Sequence, residues 1–312
     1  MDVLVLLWVA VPAVVMVHAS VCDVRSREVP DIHWAVIGAS GAILSTLSVR
    51  DVCACGAVST MAGSLLLLAY MLSERLSGAV AVPVVAASAV LTIAPFAADP
   101  GDPFARAAVA SFVTFFAMFA MYRIGLITGG ADAKCLMSLS IAFPVYPESG
   151  TIPLVWVPEP SVALLMNPTV SVLVIGLVIS LTFCAWVVAR NIRDGYVGRR
   201  MFTTYRMGVS SARTAFVWPA ERLDDGVLVP HRGFDDRDEV LEELYCAGVS
   251  DVRVTPMIPF IVPLTAALLI VTVLGSPLSV IGARCPPFFR TPHTCRRRGP
   301  RCQQGICSVM TA

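Results

Sequence analysis

Seven apolar runs, residues 3–20, 33–49, 55–72, 78–96, 105–127, 168–189 and 257–274, succeed one another along this chain. Each is close to the roughly 20 residues that a helix needs to cross the hydrocarbon core of a bilayer. Lipid offers no hydrogen-bond partner to a backbone, so such runs form helices and pack against one another. An eighth, shorter run at 133–145 reads as a helix enclosed by the others. Of the 312 residues 56% are hydrophobic and only 14% charged, whereas a soluble domain carries about 25% charged residues. That is more apolar sequence than one water-soluble core could bury. The expected fold class is therefore all-α, a polytopic transmembrane helix bundle of about 6–8 helices with a small cytoplasmic α/β insertion.

Loop charges divide and orient the chain. Arg25 and Arg27 follow the first run, Arg75 follows the third, and ten arginines lie between Arg190 and Arg253. Segment 98–105 is acidic through Asp99 and Asp102, and 144–160 has no Lys or Arg. Placing the arginine-bearing loops in the cytoplasm gives a consistent alternation if 133–145 also crosses. The first run has no basic residue before it, so it is expected to stay as a helix with its N-terminus outside. Four regions result: a bundle over 1–189, a cytoplasmic polar subdomain over 190–255, a last membrane helix over 256–281, and an Arg/Cys-rich tail over 282–312 expected to be disordered. Inside the subdomain, a helix is predicted over 236–246 with Gly248 as its stop, and a short strand over 252–254.

Several chemistries find no support. No basic stripe with interleaved aromatics suggests nucleic acid. Cys53-Ala54-Cys55 lacks the CxxC spacing of a zinc or redox site. Cys22, Cys135 and Cys184 lie in or beside apolar runs, where cysteine behaves as a small hydrophobe. His18, His33, His231 and His293 show no ligand spacing and read as packing or solvated residues. Neither a metal nor a cofactor is expected.

The acids at the borders of the apolar runs carry the chemistry. An ionisable group at membrane depth is costly and marks a functional site by default. Asp23 ends the first run, and Asp132 follows the fifth within Leu126-Ile127-Thr128-Gly129-Gly130-Ala131-Asp132-Ala133-Lys134. Four apolar runs separate them, an even number, so both emerge on the same, cytoplasmic side; their separation is 132 − 23 = 109 residues. Two close carboxyls cannot both ionise easily and share a proton, which suits hydrolysis by an acid pair. Gly129 and Gly130 would let an extended substrate approach. The plainer readings are Asp132 as the N-cap of the next helix and Asp23 as an interfacial acid paired with Arg25 or Arg27. Asp31, next to Pro30, reads as the cap of the second helix. Lys134, the only lysine, could act on the acid pair, hold a lipid phosphate or anchor the helix at the membrane surface.

Three segments carry a resemblance. Asp23-Val-Arg-Ser-Arg-Glu-Val-Pro-Asp31, the Gly129-to-Lys134 box and Thr255-Pro256-Met257-Ile258-Pro259-Phe260 resemble, in this order, motifs of archaeal type IV prepilin peptidases, also called preflagellin (prearchaellin) peptidases. These are GxGD-class intramembrane aspartyl proteases. The resemblance covers about residues 1–274, and the aspartate box is its most specific part. It implies that Asp23 and Asp132 are the catalytic acids, and that short basic leaders are cut from pilin or archaellin precursors at the cytoplasmic membrane face. Ala131 stands where the pattern has glycine, and the interval between the acids is long, as though a helical hairpin had been inserted. Both CxxC pairs of the bacterial zinc domain are missing and no nucleotide-binding box is evident, so cleavage without N-methylation is expected. The expected partners are precursor proteins and membrane lipid. The alternative is a transporter or channel with Asp132 as an intramembrane ion or proton site, and a third reading is an assembly subunit.

Overall fold

The computed structural model describes residues 3–48, 54–73, 80–150, 152–155, 166–231 and 236–276. The tail at 282–312, Arg75, Cys53 and Asp235 lie outside them. Helices α1 (Val3–Ser26), α2 (Ile32–Ser48), α3 (Ala54–Leu72), α4 (Ala81–Ala98), α5 (Pro103–Arg123), α6 (Gly130–Ala142) and α7 (Pro168–Arg193) precede a small mixed segment, and α10 (Ile261–Leu274) follows it. In α1, α3, α4, α5 and α7 the helix is long and apolar enough to cross a membrane, while α2 and α10 are shorter apolar helices. The molecule is a helical transmembrane bundle with a small α/β insertion.

The bundle is organised around α6. Nine of its thirteen residues, from Ala133 and then Cys135 onward, are buried, with no polar face left for solvent. At 1.5 Å per residue it spans about 20 Å, less than the hydrocarbon core, so it lives inside the bundle as an enclosed element. The backbone of α2 crosses it where a Cβ on Gly41 would collide with Ala142 Cα. Trp8 of α1 donates from Nε1 to Ala142 O at 2.7 Å, and Cys135 Sγ approaches Met16 Sδ at 3.5 Å. On the far side Gly176 of α7 leaves room for Leu264 of α10, at 2.8 Å from an added Cβ.

The hairpin α3–α4 is built differently. Only Ser88 and Thr92 of α4 are buried, both against α3. Ser88 Oγ donates to Gly63 O at 2.8 Å, and Ser59 Oγ of α3 donates to Leu91 O at 2.7 Å. Small and hydroxyl residues thus join the two helices while Val82, Val90 and Ile93 face outward, the arrangement expected where the surroundings are as apolar as the side chains.

Three of the differences from the predicted runs bear on the site. The first helix continues to Ser26, so Asp23 lies on its last turns. The last begins at Ile261, not at 257, because Pro256 and Pro259 lack amide donors and keep the chain extended. α6 occupies 130–142, not 133–145. It stops before Pro144, and its start draws the glycine box into the first turn.

The inserted segment has its own core. β1 (Tyr205–Gly208), β5 (Asp251–Pro256) and β2 (Val217–Pro219) form an antiparallel sheet in that order. The short helix α8 (Val209–Thr214) and α9 (Arg237–Cys246) pack on it through Ala212, Leu241, Leu244, Val252 and Val254. β3 (Glu221–Asp224) and β4 (Val227–Pro230) make a separate hairpin. The predicted helix, its stop at Gly248 (φ +74°) and the predicted strand are all present. β5 runs directly into the Met257–Phe260 link and α10.

Candidate active site

Asp23 is brought by the end of α1 and Asp132 by the first turn of α6, and their charges lie close enough to repel. Both also act on Cys135, which is wholly buried one turn below Asp132. The structure therefore gathers two acids that are 109 residues apart in sequence.

Asp23 is buried. Its Oδ2 accepts the backbone N–H of Ile261, at 3.2 Å, the first residue of α10 and one of the four amides that a helix leaves without an internal partner. The positive end of that helix dipole faces the carboxylate. Ser20 and Thr265 fasten the same junction: their hydroxyls meet at 2.7 Å, and Thr265 Oγ1 also donates to Met16 O at 3.2 Å. The Thr255–Phe260 motif thus acts by delivering an α-helical N-terminus to Asp23.

Asp132 is half-buried and is the third residue of α6. The N-cap is Gly129, so the predicted capping role for Asp132 is not what the structure has. The carboxylate folds back over Gly129, where an added Cβ would run into Asp132 Oδ2. Gly129 has φ −81° and ψ 119°, values any residue adopts. Glycine is needed there for space alone. Gly130 carries no such demand, since its nearest neighbour would be Tyr122 Oη at 3.7 Å. Ala131 is an ordinary helical residue packed against the core, so the alanine in the box imposes no backbone strain.

Lys134 does not reach the acid pair. Its Nζ donates to both oxygens of Asp31 at 2.7 Å, joining the start of α6 to the residue before α2. Asp31 accepts Ala35 N with its carbonyl, as a cap residue does, but its side chain serves Lys134.

Arg27 belongs to the site as well, beyond the surface pairing expected of it. It follows α1 in a left-handed conformation, φ +60°. Its Nη1 stands 4.0 Å from Asp23 Oδ1, too far for a hydrogen bond. The guanidinium lies over the Phe216 ring, 5.1 Å from its centroid, and so meets the inserted segment. Its Nε and Nη1 are buried without hydrogen-bond partners. Beside this junction a wide apolar groove runs between α1 and α10, walled by Val17, Val21, Val24, Val262 and Leu269.

The arrangement puts two acids within electrostatic reach of each other, presents buried N–H donors from Arg27, and leaves an apolar groove alongside. Comparison with protein-family models, curated proteins and solved structures finds no match.

Proposed function

We propose that the protein is a membrane-embedded aspartic endopeptidase that removes short basic leaders from type IV pilin-like or archaellin precursors at the cytoplasmic membrane face. The observation that carries this reading is that Asp23 and Asp132 lie within electrostatic reach of each other. In this reading Asp23, which accepts Ile261 N–H and faces Arg27, is the base that takes a proton from water. Asp132 carries the proton of the pair and polarises the scissile carbonyl, after which the roles exchange. Arg27 offers its unpaired N–H groups to a backbone carbonyl of the bound precursor. The groove between α1 and α10 receives the precursor's apolar helix, which sets the scissile bond at the height of Asp23.

The test is cleavage of a purified precursor, a basic leader joined to an apolar helix, in detergent. The wild-type protein cuts it. Asp23→Asn and Asp132→Asn each abolish cutting while inserting and unfolding normally, because an amide cannot exchange the proton. Substantial activity in either variant removes that residue from the pair. A precursor left whole by the wild type sinks the protease reading and leaves Asp132 to the ion-site alternative.

A further inference from the structure

Among the described residues, one group of metal-ligating side chains lies outside the acid pair, where α1 meets α2. His18 and Cys22 stand one turn apart on α1, and His33 is the second residue of α2. His18 Nδ1 and His33 Nε2 are 2.7 Å apart, and Cys22 Sγ is 3.9 Å from His18 Nδ1. All three donor atoms lie within 4.8 Å of one another.

The hydrogen bonds fix the protons. His33 Nδ1 is 2.9 Å from Pro30 O, and a carbonyl can only accept. The hydrogen of His33 is therefore on Nδ1, and Nε2 offers a lone pair. His18 fills that lone pair with its own Nδ1–H. The ring centroids are 5.0 Å apart with planes 13° from parallel, which with nitrogens this near means edge to edge, not face to face. A backbone carbonyl orienting one imidazole so that its other nitrogen points at open donor space is the outer-shell device of metal sites.

We propose that His18, Cys22 and His33 form a three-ligand site for a borderline transition-metal cation of the Zn²⁺ class. Two imidazoles and a thiolate select such ions, and they offer no oxygen to Mg²⁺ or Ca²⁺. The cation replaces the proton between the imidazoles: His18 takes its Nε2–H form, and the Cys22 thiol gives its proton to solvent. With metal–nitrogen bonds of about 2.0–2.1 Å and metal–sulfur of about 2.3 Å, tetrahedral donor separations are about 3.3–3.6 Å. The imidazole nitrogens open by about 0.6 Å, and sulfur closes by about 1.3 Å at most. His18 is exposed and Cys22 half-buried, so both can make that shift while buried His33 stays fixed. Three protein ligands leave a fourth position for water. The cation joins α1 to α2 across the short link that carries Arg27 and Asp31, and its binding does not depend on the protease reading.

Full-length protein in detergent, stripped of metal, is titrated with Co²⁺ and then with Zn²⁺. The expected result is one equivalent with tetrahedral visible bands and a thiolate-to-cobalt charge-transfer band, displaced by Zn²⁺. Cys22→Ser removes the charge-transfer band, and His18→Gln and His33→Gln weaken binding by more than about tenfold, the effect that loss of even an outer partner has. Cys55→Ser, at an exposed position on another helix, changes nothing. Because His33 is buried, His18→Gln and Cys22→Ser decide the outcome, with thermal unfolding reporting that each is folded. Absence of bound Co²⁺ in the wild type, or wild-type affinity and spectrum in both of those variants, overturns the site.

Discussion

At the scale of single residues, the two glycines before Asp132 differ in a way that activity can read. Gly129→Ala forces the Asp132 carboxylate off its position, so kcat/KM falls by about tenfold or more while the unfolding temperature moves little. Gly130→Ala has open space and keeps near wild-type activity. Equal losses in both variants would show that glycine serves substrate approach, as the sequence alone suggested. Arg27 offers a second separation. Its left-handed backbone costs about 1–2 kcal/mol, a strain that glycine does not bear. Arg27→Gly should therefore unfold at a higher temperature than Arg27→Gln, while both cut the precursor at least about tenfold more slowly. If Arg27→Gln cleaves like the wild type, the guanidinium is a structural neighbour only. Asp23, Asp132 and Gly129 were legible as a set because acids at membrane borders are rare and costly. Arg27 was not, since what marks it is a positive φ and the Phe216 ring, which no spacing reports. Lys134 was legible as unusual, but its partner Asp31 is 103 residues away.

At the scale of elements, the crossing of α2 and α6 decides where Asp132 stands. Gly41 meets Ala142 backbone to backbone, so Gly41→Val pushes the helices apart and costs about 1–3 kcal/mol. Unfolding temperature and cleavage rate should drop together, because α6 carries the acid. Gly56→Ala, where Pro95 Cβ would be at an ordinary 3.4 Å, is the control. A Gly41→Val protein with lower stability and an unchanged rate would mean that α6 holds its register without α2. The long apolar runs announced their helices, and the patterned stretch before Gly248 announced α9. The β3–β4 hairpin went unread, although Asp225-Gly226, both at positive φ (44° and 77°), is a strong turn signal. The pairing of β1 and β2 with β5 is non-local and left no mark in any one stretch of sequence.

At the scale of the whole molecule, the site rests on a sidedness that charge patterning predicts. Single cysteines placed beside Asp23 and beside Asp132, in a background without the native exposed cysteines, should react with an impermeant maleimide from one face of sealed vesicles only. Reaction from opposite faces would forbid a shared proton. On the acidic face of α9, Asp238 pairs with Arg237 and Glu242 with Arg213. The bond from Ile261 N to Asp23 has one more consequence. It joins positions 238 residues apart, so during synthesis α1 waits in the membrane until nearly every other helix has been made. A half-built chain lacks the amide that holds Asp23, even when α6 already rests on α1, α2 and α5. Completion of α10 is therefore the event that sets Asp23 against a helix N-terminus.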